Sequence, residues 1–514
     1  MATEQKDVLF LLIKSLSKSE KRQFSLYVRR LGANDDANFM ALFKVIDKMD
    51  RFNESLILQK TSIKKRQLSN SKAHLYKQLL ISLRLNPLHQ SPITQIREQL
   101  DFASILYNKG LYKQSLKILD KAKTQALDCV ETNLAYEIVE FEKVIESQYI
   151  TRSMSNRADE LAIQAKNLSL KNVLTSKLSN LSLQLYSLFL KMGYVRNDDD
   201  HKLVQSYFES RLPEYVFENL DFIEKLYLYK AYLWYSFMMQ DFSSCYKYAQ
   251  KWVDLFEEKP AMKQLHPVFY MKGCNYLLEA LYLAQHQNKF DSVFKKLEMD
   301  MHQNKIATNE NTASLSFLYI YQNKINQFFL KGDFIGGIAM VPDLLKNIER
   351  YKNRIDAHHI MVFYYKTACL YFGNDDHKNC ILYLDKIISN KELKMREDLL
   401  CYSRILNLVS HYSAGYDHNI ESLIKSTYRF LLKMNELYEV QRKIITFLKN
   451  LGRLYPHELK DAFKKLHTEL KVYENHPYEK RAFLYLDLLS WLESNIEGVS
   501  VSKIVARKMR LLRK

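Results

Sequence analysis

The chain has 514 residues, a formal net charge of +18, and only 11 Gly and 8 Pro. Average usage would give about 36 Gly and 26 Pro for this length. Because tight turns and strand ends need these residues, their scarcity argues against a β-rich protein and favours an all-α fold. No stretch approaches the ~20 apolar residues of a membrane span, and the six cysteines form no CxxC pair. We therefore expect a cytoplasmic protein whose cysteines are buried thiols, with neither disulfides nor a bound metal.

The positive charge is concentrated at the two ends of the chain. Residues 1–90 carry 17 Lys+Arg against 8 Asp+Glu, and residues 501–514 carry six basic residues and no acidic one. The 410 residues between them have a net charge of only +3. Basic segments of this kind are typical of proteins that contact nucleic acid or another anionic surface.

The first 90 residues are predicted to form a compact helical module. Ser17 and Glu20 have the spacing of a capping box, in which each side chain accepts a hydrogen bond from the other residue's backbone N–H. A basic connector at Ser62–Asn70 precedes a helix that ends near Arg84. Two prolines follow closely and mark a domain boundary, since proline disfavours helix at the residue before it.

The stretch Asn108–Lys123 introduces a pattern that recurs along the chain. After a turn at Gly110, the residues Tyr112, Ser115 and Leu119 fall on one helical face. Small or apolar residues that mark the same position are Ala158, Cys245, Val293, Gly337, Cys380 and Ile420. One interval is twice as long as the others, and the rest give a period of about 43 residues. A period of this length predicts a series of stacked helical hairpins.

This pattern resembles the tetratricopeptide repeat family. The aromatic residue that the family places after the turn is matched by Tyr112, Phe242, Phe290 and Phe334. The period is longer than the family's about 34 residues, so the chain would be a long-helix variant, and the family's closing proline is mostly absent. The resemblance implies an α-solenoid, a right-handed superhelix of antiparallel helical hairpins with a groove that binds a protein or peptide segment.

Together these patterns predict four segments. They are a basic helical module at 1–90, a tetratricopeptide-like α-solenoid at 91–460, C-terminal capping helices at 461–498 and a basic tail at 499–514. The capping helix is expected to run from Tyr478 to Ser494. Its apolar residues lie on almost all sides, so it needs packing partners on more than one side.

One aromatic cluster is the first candidate for a binding surface. Its members are Tyr227, Tyr229, Tyr232, Trp234 and Tyr235. They are spread around a helix rather than confined to one face, so some of them are expected to reach a groove. Most other aromatic residues have core spacing and are expected to pack inside the fold.

Nucleic-acid binding by the N-terminal module is the alternative function. The candidate residues are Lys64, Lys65, Arg66, Asn70, Lys72, His74 and Lys77. The basic side chains would neutralise phosphates, while Asn70 or His74 would read base edges. Against this hypothesis, the predicted connector is about twice the 3–4 residues of a helix-turn-helix. The competing interpretation is a helical cap with a solvated basic face.

Catalytic and metal-binding patterns are weak. His358–His359 and Asp375–His377 contain metal-compatible side chains, but adjacent residues of a helix point about 100° apart, so turn and capping roles are expected instead. Asp198–Asp200 is interpreted as a charged loop. No GxSxG, HExxH or phosphate-binding glycine loop is present. The sequence therefore favours a non-enzymatic interaction protein with no cofactor and a protein or peptide partner.

Overall fold

A computed structural model describes most of the chain. The described residues are 7–30, 38–86, 89, 91–148, 156–303, 306, 309–390, 397–416, 420–434, 438–451, 455–481, 483 and 487–512. All regular secondary structure in these ranges is α-helix, apart from short 3-10 turns. The predicted all-α fold is therefore confirmed.

The chain forms two compact units, Met1–Ser169 (unit 1) and Leu170–Lys514 (unit 2). The helices of unit 1 are α1 (Val8–Ser15), α2 (Lys18–Arg30), α3 (Asn38–Lys48), α4 (Glu54–Lys60), α5 (Lys65–Arg84), α6 (Pro92–Asn108), α7 (Tyr112–Asp128) and α8 (Thr132–Gln148). Helix α9 (Arg157–Met192) contains the boundary between the units.

The helices of unit 2 follow in short succession. They are α10 (Asp198–Glu209), α11 (Phe222–Met238), α12 (Phe242–Glu258), α13 (Met262–Leu265), α14 (Pro267–Leu283), α15 (Gln287–His302), α16 (Glu310–Lys331), α17 (Phe334–Ala339), α18 (Val341–Tyr351), α19 (Ala357–Gly373), α20 (His377–Ile388), α21 (Glu397–Ser413), α22 (Ile420–Lys433), α23 (Glu439–Leu451), α24 (Pro456–Lys471), α25 (Leu488–Glu497) and α26 (Val501–Leu512).

Unit 1 begins with a five-helix module that has its own apolar core. Side chains from Leu9 in α1 to Leu79 in α5 form one buried cluster. The predicted capping box is confirmed, because the N–H of Ser17 donates to Glu20 Oε2 over 2.6 Å and the N–H of Glu20 donates to Ser17 Oγ over 3.2 Å. Three further helices follow, with α7 packed on both α6 and α8.

In unit 2, successive helices pack in neighbouring pairs. Helix α11 packs on α12, α12 on α14, α14 on α15 and α16, α19 on α20, and α20 on α21. This serial packing confirms the solenoid-like arrangement expected from the hairpin pattern, because each helix buries its apolar stripe mainly against its neighbours in sequence.

The turns inside these helix pairs share one backbone conformation. Each turn contains a residue with positive φ, between 55° and 70°, one or two positions after the last helical residue: Gln240, Gln285, Gly332, Asp375 and Gly415. In each turn the next N–H donates to the carbonyl five residues earlier over 2.9–3.0 Å. This is the hydrogen-bond pattern of a Schellman helix end.

The proposed marker residues do not all have the predicted environment. Ser115, Cys245 and Cys380 are fully buried, and the Oγ of Ser115 donates to the carbonyl of Ala103 over 2.8 Å. Ala158, in contrast, is exposed in the first turn of α9. The expectation of a buried small residue is wrong at this position, because the chain continues there as one 36-residue helix instead of folding into a hairpin.

The predicted capping helix from Tyr478 to Ser494 is wrong as one continuous helix. A 3-10 turn occupies Glu479–Arg481, Phe483 is helical, and α25 begins at Leu488 after its N-cap Asp487. Residues 482 and 484–486, which include two leucines of the predicted apolar face, lie outside the described residues. The described half of the helix does bury apolar residues against α24.

Side-chain contacts hold the 3-10 turn at Glu479–Arg481 in place. The Nδ1 atom of His476 accepts hydrogen bonds from the N–H groups of Tyr478 and Glu479, both over 3.2 Å. Lys480 Nζ donates to the carbonyl of Gln240 over 2.9 Å. The His476 contacts satisfy backbone N–H groups at the start of the 3-10 turn, and Lys480 attaches this segment to the turn between α11 and α12.

The basic tail, which belongs to unit 2, packs against other helices of that unit. Val501, Ile504 and Val505 of α26 are buried, and the helix contacts α16, α19 and α25. A Cβ at Gly332 would lie 3.2 Å from the backbone nitrogen of Ala506, so the tail approaches the α16–α17 turn closely.

Candidate interaction surfaces

The aromatic cluster predicted as a binding surface lies on α11 and is largely packed. Tyr229 and Trp234 are buried, each with 6% of its surface exposed. Tyr227, Tyr232 and Tyr235 are half-buried. These three tyrosines are therefore only partly accessible, and the role of the cluster in binding stays a prediction.

Neighbouring aromatic rings account for much of this burial. Tyr232 stacks on Tyr248 with ring centroids 4.6 Å apart, and Tyr235 stacks on Phe208 at 4.4 Å. The hydroxyl of Tyr232 lies 3.4 Å from that of Tyr215. Burial, together with this hydroxyl contact, raises the pKa of Tyr232 above its usual range, so its phenol stays neutral.

A polar strip that crosses α11, α14, α16 and α19 offers a better candidate surface. It consists of Lys230, Lys272, Asn275, Asn323, Asn326 and Lys366, and we call it the lysine–asparagine strip. The three lysines are half-buried. None of them forms an ion pair with a carboxylate in the described part of the chain.

The asparagines connect the strip from helix to helix. Asn323 Nδ2 donates to Asn275 Oδ1 over 2.8 Å and to the carbonyl of Tyr319 over 2.9 Å. Asn326 Nδ2 lies 3.5 Å from Asn323 Oδ1, and Lys366 Nζ donates to Asn326 Oδ1. All three asparagines are buried. Because buried amides cost free energy unless they are hydrogen-bonded, this connected network orients the Lys366 amine.

Burial makes the lysines poor proton acceptors. It lowers the pKa of Lys230 to about 8, with a further contribution from the charge of Lys272. It also lowers the pKa of Lys366 to about 8, although the nearby Glu279 acts in the opposite direction. The pKa of Lys272 is lowered by burial alone. At neutral pH the amines of Lys230 and Lys366 are still mostly positive, and Glu279 is the one carboxylate whose charge acts on them.

These shifts predict that removing a strip lysine stabilises the fold. Lys230→Met should raise the free energy of unfolding by about 1–2 kcal/mol at pH 7, because a charge without an acidic partner leaves a partly buried position. The unfolded chain keeps the usual lysine pKa near 10.5. Wild-type stability therefore rises from pH 8 towards pH 10.5, and the advantage of the variant shrinks in that window. Urea denaturation at pH 7 and 9.5 measures the free energies of unfolding of the wild type and the variant. Lys247→Met, at an exposed site, is the control and should change the free energy of unfolding little.

The lysine–asparagine strip was not predicted from the sequence. The one signal it offered is that Lys272 and Lys366 are the only Lys or Arg residues of the apolar helices α14 and α19. Lys230, Lys272 and Lys366 are separated by 42 and 94 residues, which are close to one and two of the predicted periods. A lone cation in the middle of an apolar helix, repeated with the hairpin period, marks such a surface.

The N-terminal candidate residues lie on α5 and just before it. Lys64, Lys65, Arg66, Asn70, His74 and Lys77 are exposed. Lys72 instead forms an ion pair with Asp7 and lies 4.8 Å from the ring of Phe52. The predicted connector Ser62–Asn70 is wrong, because α5 already begins at Lys65 and only four residues separate it from α4.

The metal-compatible residues serve as caps and turns. Asp356 Oδ1 accepts a hydrogen bond from the N–H of His359 over 2.9 Å and contacts its ring at 2.8 Å, and this contact lowers the pKa of Asp356 to about 2. Asp375 has φ of 58° in a turn. Asp198–Asp200 form the first turn of α10 rather than a loop. Among the described residues, no group of three His, Cys, Asp or Glu side chains is placed to hold a metal.

An open cleft of about 380 Å³ lies beside α16 and α18. Polar groups on its wall already bind one another, since Tyr321 donates to Asp343 and accepts a hydrogen bond from Asn347 over 3.1 Å. The cleft therefore contains no polar constellation comparable to the lysine–asparagine strip.

Comparisons with known proteins give no further guide to function. No protein-family model matches the chain, and no curated protein and no solved structure shows significant similarity to it. Across the part of the chain that the structure describes, every helix is too short or too polar to cross a membrane.

Proposed function

We propose that this chain is a non-enzymatic, tetratricopeptide-like scaffold that binds an acidic protein segment along the lysine–asparagine strip of unit 2. The observation that carries the proposal is the set of three half-buried lysines on α11, α14 and α19, none of which forms an ion pair in the described part of the chain. A carboxylate of the ligand would form the ion pair that these lysines do not form within the described fold.

The energetics favour an anionic ligand over a purely structural role. Half-buried lysines lower stability when nothing neutralises them, and apolar side chains of similar length would pack without that cost. A charge-assisted hydrogen bond to a ligand carboxylate contributes about 1.5–3 kcal/mol. Three such bonds would provide micromolar or better affinity after the cost of ordering the segment.

The tyrosines of α11 complete the proposed surface. Lys230 Nζ lies 5.7 Å from the centroid of the Tyr227 ring, so the half-buried edge of Tyr227 adjoins the strip. An aromatic edge next to a cation suits a segment that mixes acidic and apolar residues. The six cysteines are thiols, five of them buried, which supports placing this scaffold in the reducing cytoplasm.

The test uses synthetic peptides and the full chain. Fluorescein-labelled 15-residue peptides rich in Glu and Leu should bind in an anisotropy titration at pH 7, and the same peptides with Gln in place of Glu should bind at least ~10-fold more weakly. The variant Lys230→Met/Lys272→Met/Lys366→Met should lose at least ~100-fold in affinity. Binding by the wild type should also weaken between pH 7 and 9, as the amines with pKa about 8 lose their protons.

A matched control separates the strip from general surface charge. Lys247→Met/Lys295→Met/Lys346→Met removes three exposed lysines from α12, α15 and α18 and should keep wild-type affinity. Equal losses in the two triple variants, or equal affinity for the Glu and Gln peptides, would refute the proposed site.

A further inference from the structure

The N-terminal module contains an unusually long stretch without acidic residues. From Ser55 to Arg97 there is no Asp or Glu, while eight Lys and Arg residues are present. The whole of α5 lies within this stretch. A continuous positive potential of this kind attracts polyanions.

The turn that leads into α5 is as short as those of DNA-binding helix pairs. Helix α4 ends at Lys60 and α5 begins at Lys65, whereas DNA-binding helix-turn-helix motifs use a turn of about 3–4 residues. The turn is held by local bonds: Thr61 Oγ1 donates to the carbonyl of Ile57 over 2.8 Å, and the N–H of Gln67 donates to the carbonyl of Lys64 over 2.8 Å. These bonds close the end of α4 and the first turn of α5, and both helices pack on α3.

One face of α5 is anchored and the opposite face is open. Leu68, Leu75 and Leu79 are buried in the core of the module. On the other side Arg66, Asn70, Ala73 and Lys77 are all exposed, and their spacing of four, three and four places them in one line along the helix.

We infer that the open face of α5 binds duplex DNA in the major groove. A helix about 10–12 Å in diameter fits a groove about 12 Å wide. Arg66 and Lys77 stand at the two ends of the line and would contact phosphates or guanine. Asn70 lies between them, where its amide can pair with an adenine edge, and Ala73 allows close approach. Lys64, Lys65 and Lys60 extend the positive charge beyond the start of the helix.

This surface is available as it stands. In the described part of the chain, Lys65, Arg66 and Lys77 form no ion pair, so neutralising phosphates would break no internal contact. The inference concerns unit 1 alone and does not depend on peptide binding by unit 2.

The test is a fluorescence-anisotropy titration of the full chain with a labelled mixed-sequence 20-base-pair duplex. With about five phosphates neutralised, affinity should fall ~500-fold between 50 and 200 mM KCl. Lys65→Glu/Arg66→Glu/Lys77→Glu should weaken binding at least ~30-fold at 50 mM and flatten the salt dependence. Asn70→Ala should keep the wild-type affinity for the mixed-sequence duplex. It should lose the wild-type preference for one base sequence over a scrambled version of that sequence.

The control carries the same charge change on another exposed helix of unit 1. Lys113→Glu/Lys117→Glu/Lys121→Glu on α7 should lose less than ~3-fold, and both triple variants should keep the wild-type melting temperature, because surface substitutions away from specific contacts change stability little. Absence of binding at 50 mM, equal losses in the two triple variants, or tighter binding of single-stranded RNA of the same sequence would overturn the inference.

Discussion

Asp300→Ala should lower the free energy of unfolding by about 3–5 kcal/mol, the range observed when a buried ion pair loses one partner. Asp300 Oδ2 accepts hydrogen bonds from Lys263 Nζ over 2.8 Å and from the Tyr270 hydroxyl over 2.6 Å. All three residues are buried. Glu257 also contacts Lys263, at 2.9 Å. Burial alone would lower the pKa of Lys263, but the two carboxylates raise it overall, so the amine stays charged inside the fold.

Two further variants separate the ion pair from packing. Tyr270→Phe removes one hydroxyl donor and should cost only about 1–2 kcal/mol. Replacing both charges in Lys263→Met/Asp300→Leu should recover most of the loss, because buried ion pairs are often matched by apolar residues of similar volume. Urea denaturation at pH 7 measures all three variants. If Asp300→Ala costs no more than Tyr270→Phe, the charge of Asp300 is not what stabilises this site.

Trp491→Ala should cost about 3–5 kcal/mol, the usual range for truncating a buried aromatic side chain to alanine. Trp491 has only 2% of its surface exposed. Its ring lies 5.6 Å from that of Phe463 in α24, edge to face, and its Nε1 donates to Ser413 Oγ over 3.2 Å. One side chain thus joins α25 to two other helices of unit 2.

The conservative substitution Trp491→Phe shows how much of the loss comes from packing of the aromatic ring. Trp491→Phe keeps an aromatic ring against Phe463 but loses the hydrogen bond and some volume, so it should cost roughly half as much as Trp491→Ala. Denaturation curves followed by circular dichroism would report both losses. A change below ~1 kcal/mol for Trp491→Ala would mean that α25 does not contribute to the cooperative core of unit 2.

The cations of the two proposed surfaces differ in their burial. The lysine–asparagine strip is made of cations that the fold surrounds without neutralising, whereas the α5 face consists of cations in open solvent. Peptide binding at the strip should therefore depend on pH near the lowered lysine pKa values, about 8. Binding at the α5 face should depend chiefly on ionic strength.

Local sequence signals identified the helices and several of their ends. The shortage of Gly and Pro, the capping box at Ser17 and Glu20, and the end of α5 at Arg84 all depend on residues close together in the chain. Such features are decided by local backbone preferences and short-range hydrogen bonds. They do not require knowledge of which helices meet.

Turns without glycine show where local signals were insufficient. Gly110 was recognised as a turn, but Gln240 and Gln285 adopt positive φ of 56° and 55° as well. For a non-glycine residue, this backbone conformation costs about 1 kcal/mol or more of free energy. Packing between the helices on either side supplies the compensation, so a glycine-based search finds only some of these turns.

The sequence by itself determined that this protein is helical, that successive helices pack in neighbouring pairs, and that its N-terminal module is basic. Only the tertiary structure decided where α5 begins, that a 3-10 turn follows His476, and that Lys230 and Lys366 share one polar strip. Helix formation and charge follow from neighbouring residues. The environment of a side chain depends on contacts between residues far apart in the chain, which no local pattern specifies.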